Sequence, residues 1–499
     1  MKSNINTSVI VNIIQTITMT VLSLITFPYV CRILGDTQMG LYSWVSAFIY
    51  YFFILARISI PNIAVRECVK VKNDPVKLSM KVQELFIIQA IMTLISFGLM
   101  TSLLFLIPSF NSNVDYQSLA FILSLNFLSG VLSFEWVFTA FEKHIYMSVR
   151  SIIVFAISDI LIFLFIKNPG HVYLYAFISI MGTVAIVVSN LIYLPTLVKF
   201  KKEGRYNFRQ YFPVLKTLFL ISLVVAIYDK TDTFILGFID VSKASVGSYS
   251  VGMKAVEIII GIITSLSIVF IPRATYYYNK NDEKQYTNLN KYSVNITLFI
   301  VLPAIATMVA LATPITSILS GGNVLEYIDA NIILMILAPL MLTYSLSFVI
   351  YTQVLIPQKK EKYYLFSMLG GSLLNIGLSL LFGLVIMKDR PAVGVSIGTA
   401  ISDLVVLTAM FALTWKDSKK LFFNLNTLKI VLVAALIGVS TYFLGDLIVK
   451  AMLGSMNNQE LAYILEIIIM LVIDAIIYIT LLILSKEKLL RSMIHRHKH

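Results

Sequence analysis

Charge is scarce in this sequence. Only 13% of its 499 residues are charged, against about a quarter in ordinary globular chains, while 58% are hydrophobic and the mean hydropathy is +0.86. No stretch is polar enough for a sizeable soluble domain, and a nucleic-acid surface would need a basic face on one. Cysteine is nearly absent. Cys31 and Cys68 bound one apolar run, which places them on opposite membrane faces, so neither a disulfide scaffold nor a cysteine-rich metal site is available. There is no G-x-x-x-x-G-K-[ST] phosphate loop, and the five histidines (His144, His171, His495, His497, His499) lack the H-E-x-x-H spacing of a zinc protease helix. Gly394-Val395-Ser396-Ile397-Gly398 spells a hydrolase elbow, which needs a strand-to-helix turn with His and Asp partners. The same residues form a small-x-x-x-small pattern that lets two membrane helices approach closely. The first thirty residues carry one Lys and a long apolar run with no A-x-A-like site, and read as a retained helix rather than a cleaved leader.

What fills the chain is apolar runs. A bilayer crossing needs roughly 20 apolar residues, and fourteen candidate spans lie at about 7–30, 39–62, 83–107, 117–141, 148–166, 171–195, 214–238, 246–271, 291–312, 328–356, 363–387, 391–414, 427–450 and 460–485. Proline lacks an amide hydrogen and disfavours helix before it. Pro61, Pro108, Pro195, Pro272, Pro314 and Pro357 are expected at span ends and Pro169, Pro213 and Pro391 at or just before starts; Pro28, Pro303 and Pro339 fall inside as candidate bends. With the N-terminus inside, 30 of the 39 Lys and Arg fall in cytoplasmic segments. Arg32, Lys167, Lys243, Lys388, Arg390 and Lys450 fall outside, and Arg57, Lys230 and Lys254 within spans. The net charge of +13 is therefore a topology signal that places both termini in the cytoplasm.

An internal repeat is present. Leu34-Gly35, Gly40-Leu41-Tyr42-Ser43 and Ile60-Pro61 around spans 1 and 2 recur as Leu236-Gly237, Gly247-Ser248-Tyr249-Ser250 and Ile271-Pro272 around spans 7 and 8. Glu142-Lys143-His144-Ile145-Tyr146 before span 5 is matched by Glu361-Lys362-Tyr363-Tyr364 before span 11. Units of six helices share one orientation, which implies a pseudo-twofold along the membrane normal, as in many transporters. The expectation is an all-α integral membrane protein of about fourteen transmembrane helices. Residues 1–213 form an N-terminal lobe with a cytoplasmic linker and 214–415 a pseudo-symmetric C-terminal lobe; 416–499 hold two extra helices and a basic cytoplasmic tail.

The segments PYVCRILGDTQMGLYSW (28–44), IPNIAVREC (60–68), EWVFTAFEKHIYMSVRSI (135–152), YDKTDTFILGF (228–238), VGSYSVGMK (246–254), IPRATYYY (271–278) and QVLIPQKKEKYYLFSMLGGSLLN (353–375) follow one another as in a known family. Across most of residues 1–415 the chain resembles the Wzx-like polysaccharide-repeat flippases of the MATE-related exporter superfamily. The resemblance implies two six-helix lobes around a central cavity that carry an undecaprenyl-diphosphate-linked oligosaccharide from the inner to the outer leaflet of the bacterial plasma membrane. Spans 13 and 14, outside the repeat, would then offer a groove for the polyprenyl tail. The implied partners are the lipid-linked glycan, membrane lipids and glycan polymerase machinery.

An ionisable group near the bilayer centre costs about 2.5–3.5 kcal/mol on insertion scales, so those present are expected to face a polar interior or a partner. Lys254 is a natural counter-charge for a diphosphate, and it matches a lysine common in the family; alternatively it pairs with Glu257 at i,i+3. Arg57 holds cargo or snorkels to the headgroups. Tyr228, Lys230 and Asp232 contact sugar or a coupling ion, or form an interfacial charge cluster with Asp229. Glu135, Asp159, Asp403 and Asp474 carry a proton or sodium ion, or hydrogen-bond one helix to another. No cofactor is called for beyond such coupling ions.

Two other functions remain open. A cation-coupled drug or metabolite antiporter of the same superfamily would need an acid-dominated cavity, against which Arg57, Lys230 and Lys254 argue. A membrane polysaccharide polymerase or glycosyltransferase would need a sizeable outer loop. The longest, about 313–327, holds no Lys, Arg or His, so no enzyme is expected.

Overall fold

The structure, a computed structural model, describes residues 5–111, 113–201, 204–422, 425–453 and 458–484. Lys2 and the basic tail with His495, His497 and His499 lie outside the described residues. Every regular element among the described residues is helical. In chain order the first are α1 (Ile5–Arg57), α2 (Ile60–Val71), α3 (Pro75–Leu106), α4 (Pro108–Asn111), α5 (Val114–Ser124), α6 (Asn126–Leu132), α7 (Glu135–Ala140), α8 (His144–Phe165), α9 (Val172–Tyr193) and α10 (Phe212–Ile239). They are followed by α11 (Ala244–Asn279), α12 (Glu283–Ala310), α13 (Ala312–Leu319), α14 (Ala330–Leu337), α15 (Leu340–Ile350), α16 (Glu361–Leu380), α17 (Pro391–Leu413), α18 (Trp415–Phe422), α19 (Leu425–Leu453) and α20 (Gln459–Leu484). Thirteen stretches among the described residues are long and apolar enough to cross a membrane, and the protein is a multi-pass membrane protein.

The first of these stretches is two spans in one. It runs over 44 residues, about 66 Å at 1.5 Å per residue against a hydrocarbon core of about 30 Å. Gly35 interrupts it at φ 73°, ψ 174°. That backbone region is essentially glycine-only, so a single residue breaks the helix in two where the sequence suggests a loop of several. The count is thus consistent with about fourteen transmembrane helices.

Prolines behave as expected in most places. Pro61, Pro75 and Pro391 open α2, α3 and α17, where a missing amide hydrogen costs nothing, and Pro339 separates α14 from α15. Pro61 therefore starts a helix instead of ending one. Pro272, expected at a span end, lies inside α11, which continues to Asn279. The 36 residues of α11 exceed a bilayer's requirement; the helix continues beyond the end of its apolar segment. Likewise α13 forms within the stretch about 313–327 taken as an outer loop. Gly394 and Gly398 serve helix packing, since a Cβ at Gly394 would meet the Phe382 carbonyl oxygen at 2.6 Å and one at Gly398 the Ser379 nitrogen at 3.0 Å. Cys31 and Cys68 are both buried, and no disulfide joins them.

The chain divides into two compact units, residues 1–230 and 231–499, with the division inside α10. In the first, α1 packs on α3, α5 and α8, and α9 on α5, α6 and α8. Trp44 stacks on Phe110 with centroids 4.7 Å apart and meets the edge of Tyr116, tying α1 to α4 and α5. A second apolar cluster joins α2, α3 and α7 through Ile60, Val82, Leu85, Trp136 and Phe138, and includes Tyr211 and Leu215. Onto it the segment leading to α10 is pinned: Tyr211 and the Asn207 amide donate to the buried Glu84 carboxylate at 2.6 and 2.7 Å, and Tyr206 donates to Gln83 at 2.7 Å. Burial and the Glu84 carboxylate push the Tyr211 phenol well above its ordinary range. Nearby, burial alone would raise the Glu67 carboxyl, but Lys70 at 2.6 Å and Lys81 at 3.5 Å outweigh it and hold it low. In the second unit α17 packs on α16, α15 and α14, α11 on α14, α12 and α15, and the last two helices, α19 and α20, on each other and on α12 and α13.

Candidate functional site

The charges inside the first unit sit at two broken helices. α1 ends at Arg57, and the next two residues, Ile58 and Ser59, are left-handed at φ 41° and 56°. Non-glycine residues adopt that region at a cost. Ser59 is held there by hydrogen bonds from its hydroxyl to the Leu218 carbonyl at 3.1 Å and with Ser222 at 2.8 Å. Opposite, Phe134 is left-handed at φ 46°, and Glu135 begins α7 immediately after it. The two breaks bring Arg57 into the field of Glu135. The Arg57 stem lies against Gly130, and its guanidinium sits 5.5 Å from the Phe53 ring centroid.

A second guanidinium, not singled out in the sequence, completes this group. Arg150 on α8 is buried, donates to Glu135 at 3.2 Å and to the Asn190 side-chain oxygen, and lies 5.6 Å from the Tyr146 ring. Asn190 on α9 donates in turn to the Ser133 carbonyl. Arg150 thus pairs with Glu135, and Arg57 lies within the field of the same carboxylate. Arg150 follows Tyr146 by four residues, one helical turn on a single face. That spacing was the available signal, obscured because Arg150 stands near the start of its span and reads as a cytoplasmic charge.

Lys230, on α10, lies 6.0 Å from the Tyr50 ring; Tyr228 is buried and Asp229 exposed on the same helix. In the second unit Asp232 is buried and accepts the Tyr249 hydroxyl at 2.8 Å. Lys254 on α11 is half-buried, one helical turn from the exposed Glu257. Asp403 is buried and accepts the Thr343 hydroxyl, and Asp474 is buried between Thr307 and Thr441. In the first unit Asp159 is half-buried beside Thr26. The four acids expected to carry an ion are therefore dispersed: Glu135 against Arg150, Asp159 beside Thr26, Asp403 and Asp474 each on threonine hydroxyls. Among the described residues no group of three or more His, Cys, Asp or Glu could hold a metal ion. The second unit also carries an open cleft of about 290 Å³ lined by Tyr277, Tyr278, Asn281, Glu283, Tyr286 and Asp417.

The fold is shared with membrane exporters of known structure. The structure resembles that of the lipid II flippase MurJ in an inward closed conformation, with a TM-score of 0.65 over 94% of this chain and 99% of that one at 16% identity. It also resembles an inward-facing multidrug resistance MATE family transporter of the MOP superfamily, with a TM-score of 0.61 over 83% and 98% at 14% identity. A relative from Escherichia coli (strain K12), named "Putative O-antigen transporter", is 23% identical over 395 residues, 78% of this chain and 91% of that protein. Residues 218–381 match the MatE family. Residues 5–277 match the family described as polysaccharide biosynthesis protein, and the chain belongs to that family, as a membrane transporter of the Wzx-like kind.

Proposed function

We propose that this transporter is a flippase that moves an undecaprenyl-diphosphate-linked oligosaccharide repeat unit from the inner to the outer leaflet of the bacterial plasma membrane by alternating access, with both termini cytoplasmic. The observation that carries the reading is that Arg150 pairs with the carboxylate of Glu135 and Arg57 lies in the field of the same group. Guanidinium groups match phosphate oxygens in bidentate geometry, and attraction to an anion strengthens where water is scarce. Lys254 supplies a second cationic group, in the other unit. Family membership in polysaccharide biosynthesis supports the chemical class of cargo, and Tyr228, Lys230 and Asp232 on α10 would contact its sugars. The polyprenyl tail, too apolar for these charges, would lie along α19 and α20. The match to MatE keeps a cation-coupled drug antiporter as the second reading; a cationic drug would be repelled by the arginine pair.

Loss of the protein should cause lipid-linked oligosaccharide to accumulate on the cytoplasmic side, identified by extracting and analysing the polyprenyl-linked sugars. Replacing Lys254 with Ala should reproduce that accumulation at near-normal protein abundance, and Lys254→Arg should restore part of the flow. Full transport by the uncharged double variant Lys254→Met with Glu257→Gln would show that the charge of Lys254 does not hold cargo.

A further inference from the structure

The last helix carries buried acids apart from the charged groups assigned to the cargo's diphosphate. Along α20 the buried residues are Ala462, Glu466, Met470, Asp474, Tyr478 and Leu482, a stripe of near-fourfold spacing that faces α12, α13 and α19. Two of the six are carboxyl groups within an apolar span, where an uncompensated charge is costly. Asp474 is 5% exposed and Glu466 3%. Neither forms an ion pair among the described residues. The charged and titratable groups on the elements packed around them are Glu283, Lys284, Tyr286, Lys291 and Tyr292 on α12, Lys429, Tyr442, Asp446 and Lys450 on α19, and Glu460, Tyr463 and Tyr478 on α20 itself; α13 has none. Tyr478 spends its hydroxyl on the Phe299 carbonyl. Asp446, the group that acts on Glu466, is of like charge and pairs with Lys450 at 2.6 Å.

The hydrogen bonds of Asp474 come from two threonine hydroxyls. Thr307 donates to its Oδ2 at 2.8 Å. The Thr441 oxygen lies 2.8 Å from both carboxyl oxygens and also 2.8 Å from the Ile437 carbonyl. One hydroxyl hydrogen satisfies all three acceptors only as a weakened, shared bond. If Thr441 donates to Ile437, as threonines in helices commonly do, a hydrogen on the carboxyl itself must fill the contact between Asp474 and Thr441. Glu466 shows the same want more plainly: its Oε2 is buried with no hydrogen-bond partner, and its other oxygen lies 3.1 Å from where a Cβ on Gly445 would stand. Oxygen-to-oxygen distances of 2.8 Å are those of hydrogen bonds, too short for a sodium ion to sit among the same oxygens.

We propose that Asp474 and Glu466 make a proton-binding site in the seam that α20 shares with α12 and α19. Each carboxylate takes one proton from water, losing one negative charge, and the neutral acids let the seam close; release of the protons leaves bare carboxylates between the helices and loosens it. Binding of these protons requires neither the cargo's charged group nor a particular direction of transport.

The test uses the purified full-length protein in lipid nanodiscs, with infrared difference spectra recorded between acid and alkaline buffers at constant sodium, alongside thermal unfolding. Wild-type protein should show the carbonyl band of neutral carboxylic acid. Asp474→Asn and Glu466→Gln should each remove a separate part of that band, and the double variant should lose the alkaline fall in thermal stability that the wild type displays. An unchanged band in both variants would overturn the proposal, as would the same spectral change produced by sodium at fixed pH. Asparagine and glutamine imitate the protonated acids, so variants that fail to fold would show that the charged forms are native and would equally overturn it.

Discussion

Replacing Arg150 with Met tests whether the paired guanidinium site is built as described. Methionine keeps an apolar stem of similar reach and removes the charge and all donors. The Asn190 side-chain oxygen, in a residue with no exposure, then loses a charged donor, which costs about 1–3 kcal/mol. Loss of the contact with the Tyr146 ring adds about 0.5–1 kcal/mol. Glu135 contributes little, because its side chain is 42% exposed and rehydrates; exposed pairs are worth about 0–1 kcal/mol. The sum is about 1.5–4 kcal/mol, which at about 2–4 °C per kcal/mol for a unit of this size lowers the midpoint by about 3–16 °C. Thermal unfolding in detergent followed by tryptophan fluorescence would read it. Arg150→Lys should keep charge but lose the fork of donors, with a smaller loss. A cycle with Asn190→Leu should show strong coupling, since the two residues share one hydrogen bond. A midpoint for Arg150→Met within about 1 °C of wild type, or additive single effects, would refute the role given to this residue.

Gly35→Ala should destabilise the first hairpin by about 1–3 kcal/mol, because φ 73°, ψ 174° is closed to alanine; unfolding midpoints against a Gly98→Ala control, which has open space around it, check this. Single cysteines at Asn113 and Gly322 should react with a membrane-impermeant maleimide added outside intact cells, and those at Lys201 and Lys284 should react only after permeabilisation. Labelling of the last two from outside would reverse the orientation.

How far the sequence reaches can be seen residue by residue. Apolar run length and the count of basic residues were sufficient for the all-helical class, the number of spans and most of their bounds, because a bilayer sets a minimum length and forbids unsatisfied backbone within it. The Gly394-to-Gly398 pattern likewise announced close helix packing from spacing alone. What the sequence could not supply was the identity of partners across helices. Arg57 was visible as a charge in a span, but that Arg150 would meet Glu135 depended on left-handed turns at Ile58–Ser59 and Phe134, where tertiary contacts override local preference. Pro272 reads as a terminator because the rule against proline in helices is local, whereas α11 continues for seven residues past it. Asp474 was legible as a deep acid; the two threonines that surround it come from helices 167 and 33 residues away in the chain. Spans, ends and charge asymmetry follow from interactions between the chain and its solvent, which each residue carries with it. The constellations depend on which helix faces which, and only the packed structure decides that.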